Sequence, residues 1–100
     1  MKDKIKKILQ TIYLSEYEYE RLIAILTEEL RYTLQLLIYL YKLQVQMIKD
    51  KNTHRSDLDQ ITRDFNYVIS EIVNYIHRNM ITTMNKNEIK RLILNIIKEL

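Results

Sequence analysis

Glycine, proline and cysteine are all absent from this chain, and each absence removes a class of structure. Glycine takes positive φ at no steric cost, and proline presets turns. A β-rich fold of this size needs several tight turns, most of them built on residues at positive φ. A chain with neither residue reads instead as a few long helices joined by polar connectors. Without cysteine there is no disulfide, no thiolate nucleophile and no zinc–sulfur site, and such usage fits a reducing compartment. Long apolar runs are missing too. The longest, Leu36 to Tyr41, falls far short of the roughly 20 residues that cross a bilayer as a helix. The basic start, Met1 to Lys7, is not followed by the apolar stretch and small-residue cleavage site of a secretory signal. These absences point to a soluble, cytoplasmic protein with no membrane span.

What is present fits one globular domain. Of 100 residues, 47% are hydrophobic, enough for a core that needs no metal or disulfide to hold it. The net charge of +3 is too small to imply nucleic acid by itself. Heavy use of isoleucine, lysine, asparagine and tyrosine suggests A+T-rich coding, as in many phages, plasmids and thermophiles.

Periodicity and capping signals predict four helices, at about 2–13, 16–51, 57–80 and 86–100. In the first, Ile5, Ile8, Leu9 and Ile12 recur on one face, with the lysines mostly elsewhere. Ser15 opens the second through a capping box with Glu18, and Glu16, Glu18 and Glu20 suit the positive end of the helix dipole. No breaker then appears before Lys51, a length of about 50 Å, against a radius of gyration of about 13 Å for a compact chain of this size. Such a helix must bend, or the molecule must be elongated. Asn52 to Ser56 reads as a turn, with Ser56 or Asp57 capping the third helix. There Leu58, Ile61, Phe65, Val68, Ile72 and Tyr75 keep a 3,4 spacing, a coiled-coil-like seam. Asn85 with Glu88 forms a second capping box, and Ile89, Leu92, Ile93, Ile96 and Ile97 give the last helix its apolar face. The class is therefore all-α: an antiparallel hairpin of the second and third helices, flanked by two shorter ones, resembling a four-helix bundle.

The second helix is apolar on two sides. At 100° per residue, Tyr19, Leu22, Ile23, Leu26, Leu30, Leu34, Leu37, Tyr41, Val45 and Ile48 share one face, which the third helix can cover. Ile25, Tyr32, Leu36, Tyr39, Leu43 and Met47 share another, roughly 140° away. A helix apolar on most sides must be buried on most sides, and the first and last helices are too short to cover all of it. Tyr32, Leu36, Tyr39, Leu43 and Met47 are thus a candidate interface. A second copy is the expected occupant, because two-fold homodimers are the commonest soluble assembly. Eight tyrosines against one phenylalanine fit half-buried helix edges and interfaces.

Catalytic readings fail one by one. There is no glycine-rich phosphate loop. Of the two histidines, His54 falls in the turn, and His77 has no carboxylate at helical spacing on its own helix to orient it. No zinc or di-iron ligand pattern appears. No enzyme activity, cofactor or metal is expected. Two nucleic-acid readings compete with a protein partner. Lys49, Lys51, His54 and Arg55 make the hairpin tip basic, and basic clusters bind phosphates by counterion release. Leu58 to Ile76 can also be forced into a helix-turn-helix register with a turn at Asn66, but Val68 stands where a capping Ser or Thr belongs, and an unbroken helix explains the same residues with fewer exceptions. The sequence thus favours a non-enzymatic helical protein working through protein–protein contact, such as a small regulator or inhibitor carried by a virus or plasmid. A nucleic-acid-binding regulator is the alternative.

Overall fold

A computed structural model describes all residues, Met1–Leu100. It is all-α, with 81% of the chain helical and no strands. The helices are α1 (Lys2–Gln10), α2 (Glu16–Ala24), α3 (Arg31–Lys49), α4 (Arg55–Asn79) and α5 (Lys86–Glu99), with a π-helical turn at Ile25–Glu29 between α2 and α3. No residue has a positive φ, so every connector is made from conformations open to ordinary residues. No helix is long and apolar enough to cross a membrane.

Both capping boxes form. The Ser15 hydroxyl accepts from the Glu18 N–H at 3.2 Å, and the Glu18 carboxylate accepts from the Ser15 N–H at 3.3 Å. Asn85 and Glu88 make the same reciprocal pair at 2.9 and 3.3 Å. Three predicted boundaries move. The first helix ends at Gln10 rather than Tyr13, because the Thr11 and Ile12 N–H groups bond three residues back, to Ile8 and Leu9, and this tightening closes the helix. The third helix begins at Arg55 with His54 in the cap position and no side-chain cap. Ser56 and Asp57 therefore lie inside its first turn, where Asp57 meets the helix dipole favourably. The turn moves forward to match: Asp50 accepts from the Asn52 N–H at 2.9 Å through its side chain and from the Thr53 N–H at 3.2 Å through its carbonyl.

The expected hairpin is present. α3 lies antiparallel to α4, with Gln44 donating to Thr62 at 3.1 Å and Tyr41 packed on Phe65, ring centroids 6.4 Å apart. α5 packs on α4, and α1 on α2 and α5. Twenty-two apolar residues form one core, with no buried polar or charged residue. The molecule is moderately elongated, 46 × 24 × 21 Å, with a radius of gyration of 14.3 Å.

The long second helix is interrupted. The Leu30 N–H bonds to the Ile25 carbonyl, five residues back, at 2.7 Å, and Leu30 leaves helical geometry at φ −112, ψ 25. The Thr27 hydroxyl donates to the Ile23 carbonyl at 2.6 Å, a back-bond of the kind that bends helices. A π-turn holds about one residue more than an α-turn. It therefore turns the face of α2 by about 100° relative to α3. That rotation corrects the reading of Ile25. A uniform wheel groups it with Leu36 and Leu43, whereas it is fully buried with Leu22 and Leu26.

Polar contacts fix α2 to the far end of α4. Arg21 donates to the Asn79 carbonyl at 3.2 Å and pairs with Glu29, which also accepts from the Tyr75 hydroxyl at 2.5 Å. Thr82, in the connector before α5, donates to Glu18 at 2.6 Å. The hydrogen bond from Arg21, then that from Tyr75, lowers the pKa of the Glu29 carboxyl. The bond from Thr82 does most to lower that of Glu18, with Ser15 adding to it against a desolvation cost.

Two outcomes follow from this arrangement. Truncating Ile25 to Ala should destabilise the fold by about 2–5 kcal/mol, whereas Tyr39→Ala should stay within about 0.5 kcal/mol, as read from urea unfolding. Equal costs would contradict the π-turn placement of Ile25. The second concerns pH. Depressed folded-state pKa values contribute stability that is complete above the ordinary value of 4.5 and is lost as pH falls through the lowered values. Urea midpoints should therefore drop on acidification below that value, and drop less in a Glu18→Gln, Glu29→Gln double variant.

Candidate interaction face

The site begins with the phase of α3. Downstream of Leu30 the helix runs unbroken to Lys49, so positions 32, 36, 39, 43 and 47 fall on one face by ordinary helical spacing. Its opposite side is committed to the core: Leu34 and Leu37 are fully buried and Leu40 nearly so. Of the five candidate interface residues, Tyr32 is 74% exposed, Tyr39 61% and Leu36 47%. Leu43 and Met47 are half-buried. α1 and α5 pack elsewhere and leave Tyr32, Leu36 and Tyr39 open. The Arg31 guanidinium lies over the Tyr32 ring, 4.9 Å from its centroid, and donates to the Tyr32 hydroxyl at 3.1 Å. This contact holds one end of the stripe in a defined position.

Polar residues border the stripe on one side. Arg31, Gln35, Lys42, Gln46 and Lys49 follow helical spacing and are all exposed. Not one aspartate or glutamate occurs from Arg31 to Lys49. Beside this edge, Lys4, Gln35, Ile38 and Lys42, with Met1 and Leu100, line a shallow cavity of about 330 Å³.

The candidate nucleic-acid residues Lys49, Lys51, His54 and Arg55 are all exposed and gathered at the hairpin tip, where Asp50 and Asp57 partly offset their charge. The structure removes the helix-turn-helix register in favour of the unbroken helix. α4 continues from Arg55 to Asn79 without a turn at Asn66, and Ile69, which that register leaves near the groove, is fully buried. An unbroken helix satisfies the backbone of the same residues, whereas a turn would release several of its hydrogen bonds.

His54 and His77 are both exposed. No three His, Asp or Glu side chains come together as a metal ion would require. Tyr67 is 68% exposed, and its hydroxyl is held up in pKa by hydrogen bonding to Glu71. Tyr17 is exposed and reaches the Ile81 N–H at 3.5 Å. Ile48, assigned by periodicity to the core face, is 65% exposed, because it sits in the last turn of α3 at the open tip. Comparison with protein-family models, with curated proteins and with solved structures finds no match for this chain.

Proposed function

We propose that this protein is a non-enzymatic helical module of the cytoplasm that acts by docking another polypeptide on the exposed face of α3. The supporting observation is the stripe itself. Two tyrosines and a leucine stand on one face at 74, 61 and 47% exposure, on a helix whose other side is core. With tyrosine side chains of roughly 200 Å² each, the stripe presents about 400 Å² of largely apolar surface. Patches of this size are often functional on monomeric proteins, and tyrosine and methionine are enriched in interface cores. Such a module works by occupancy, as a small regulator or inhibitor does.

A second copy of the chain is the simplest occupant to test. Light scattering across the micromolar range should distinguish a chain of 12.3 kDa from a dimer. Docking in general is tested by selecting polypeptide binders from a displayed library and challenging them with a Leu36→Asp, Tyr39→Asp double variant. Binding should fall at least tenfold while the circular-dichroism helix signal is retained. Binders indifferent to both substitutions would overturn the reading.

One observation keeps nucleic acid as a second reading: Lys49, Lys51, His54 and Arg55 converge at one exposed tip. On that reading, Lys51→Ala with Arg55→Ala should flatten the salt dependence of binding to labelled DNA or RNA in fluorescence anisotropy. An unchanged salt slope would remove it.

A further inference from the structure

The α3 stripe is bordered by one kind of charge. Over the 19 residues of α3 there are three cations, Arg31, Lys42 and Lys49, and no carboxylate. Their spacing of 11 and 7 residues keeps them on one edge of the helix, beside Tyr32, Leu36 and Tyr39. Lys4 of α1 faces the same edge across the shallow cavity that it shares with Lys42. Resting on the docking function proposed above, we infer that the occupant is an amphipathic helix of a different protein, with its apolar side on Tyr32, Leu36, Tyr39 and Leu43 and a row of Asp or Glu against Arg31, Lys42 and Lys49.

Three considerations select this partner. First, an apolar stripe with anchors at i, i+4, i+7 and i+11 is the surface that another helix covers, its ridges fitting between these side chains. Second, the unbalanced basic edge steers acidic partners and penalises basic ones, since complementary potential sets specificity and encounter rate. Third, a second copy supplies the wrong charge. In an antiparallel two-fold pairing of α3 with itself, the basic edge meets the basic edge. In a parallel pairing it meets the side that carries Thr33 and Gln44. Neither edge of α3 carries a carboxylate of its own to set against Arg31, Lys42 or Lys49. Nucleic acid fits less well, because three cations spread along about 27 Å of helix are sparse against a phosphate backbone.

The test uses the full chain and a displayed library of 20-residue helical peptides with unbiased charge. Selected binders should carry apolar residues at helical spacing and a net negative charge. They should compete with one another and bind Leu36→Asp, Tyr39→Asp protein at least tenfold more weakly. Charge reversal by Lys42→Glu with Lys49→Glu, both exposed, should weaken the acidic binders by about tenfold and favour basic ones, and added salt should weaken the wild-type complex. Binders that need Leu36 and Tyr39 but are neutral or basic would overturn the charge inference and leave docking intact. Binders that ignore Leu36 and Tyr39 would overturn docking itself. A scattering mass of twice the chain that Leu36→Asp, Tyr39→Asp returns to monomer would give the face to a second copy. Single-stranded DNA or RNA binding lost in Lys42→Glu but kept in Lys51→Ala, Arg55→Ala would give it to nucleic acid. Either result overturns the inference.

Discussion

The hydrogen bond from the Leu30 N–H to the Ile25 carbonyl, five residues back, sets the phase of the molecule. Upstream of it, Leu22, Ile25 and Leu26 must reach the core. Downstream, Leu34, Leu37 and Tyr41 must meet α4. A straight helix of constant pitch leaves Ile25 on the side of Leu36 and Leu43, and so in solvent. The extra residue in the π-turn rotates α2 by about 100° and brings both apolar sets inward. The same rotation leaves Ile23 facing α1, which covers it. Burying a side chain the size of isoleucine is worth roughly 1.5–3 kcal/mol, more than one imperfect backbone turn is expected to cost. The π-turn is further held by Thr27 bonding back to Ile23, and by Glu29 between Arg21 and Tyr75.

That constraint also divides the charges. Two carboxylates upstream of Leu30 are used inside the fold: Glu18 ties α2 to Thr82, and Glu29 ties the π-turn to Arg21 and Tyr75. Past Leu30, α3 needs no such ties, because Tyr41, Gln44 and the leucines dock it on α4. Its cations are left without intramolecular carboxylate partners, facing solvent beside the tyrosines. The electrostatic character of the face thus follows from where the fold requires its ion pairs.

Much of this was legible in the residues. Ser15 with Glu18 and Asn85 with Glu88 are local signals, satisfied within three residues, and tertiary packing had nothing to alter. The hairpin followed from the seam of the third helix and the polar turn. The exposed stripe was legible because α3 is regular from Arg31 to Lys49, so that a constant 100° per residue holds throughout. Ile25 was misplaced because the same assumption was carried across Ile25–Glu29, where ordinary helix formers give no sign of a wider turn. Tertiary contacts decided that geometry: Glu29 finds Tyr75, 46 residues away. The start of α4 moved for a local reason. His54 has backbone in the extended region suited to a cap position, although its side chain does not cap, and composition alone favours Ser56 or Asp57.

A face left open must still be held in shape if it is to bind. α3 meets this requirement through its other side, since Leu34 and Leu37 are fully buried and Tyr41 rests on Phe65. The backbone that carries Tyr32, Leu36 and Tyr39 is thereby ordered at the cost of folding rather than of binding. Tyrosine loses little rotamer freedom when immobilised, and Tyr32 is already held by Arg31. Ordering costs on association therefore fall mainly on the partner and on the lysine side chains of the edge. Among residues that could stand in water without unfolding this helix, tyrosine combines apolar area with a hydroxyl that remains solvated. Leucine at the same positions would enlarge the apolar patch and invite indiscriminate association. On the docking function proposed above, Tyr32 and Tyr39, two of the chain's eight tyrosines, give the face apolar area while their hydroxyls keep it solvated until a partner arrives.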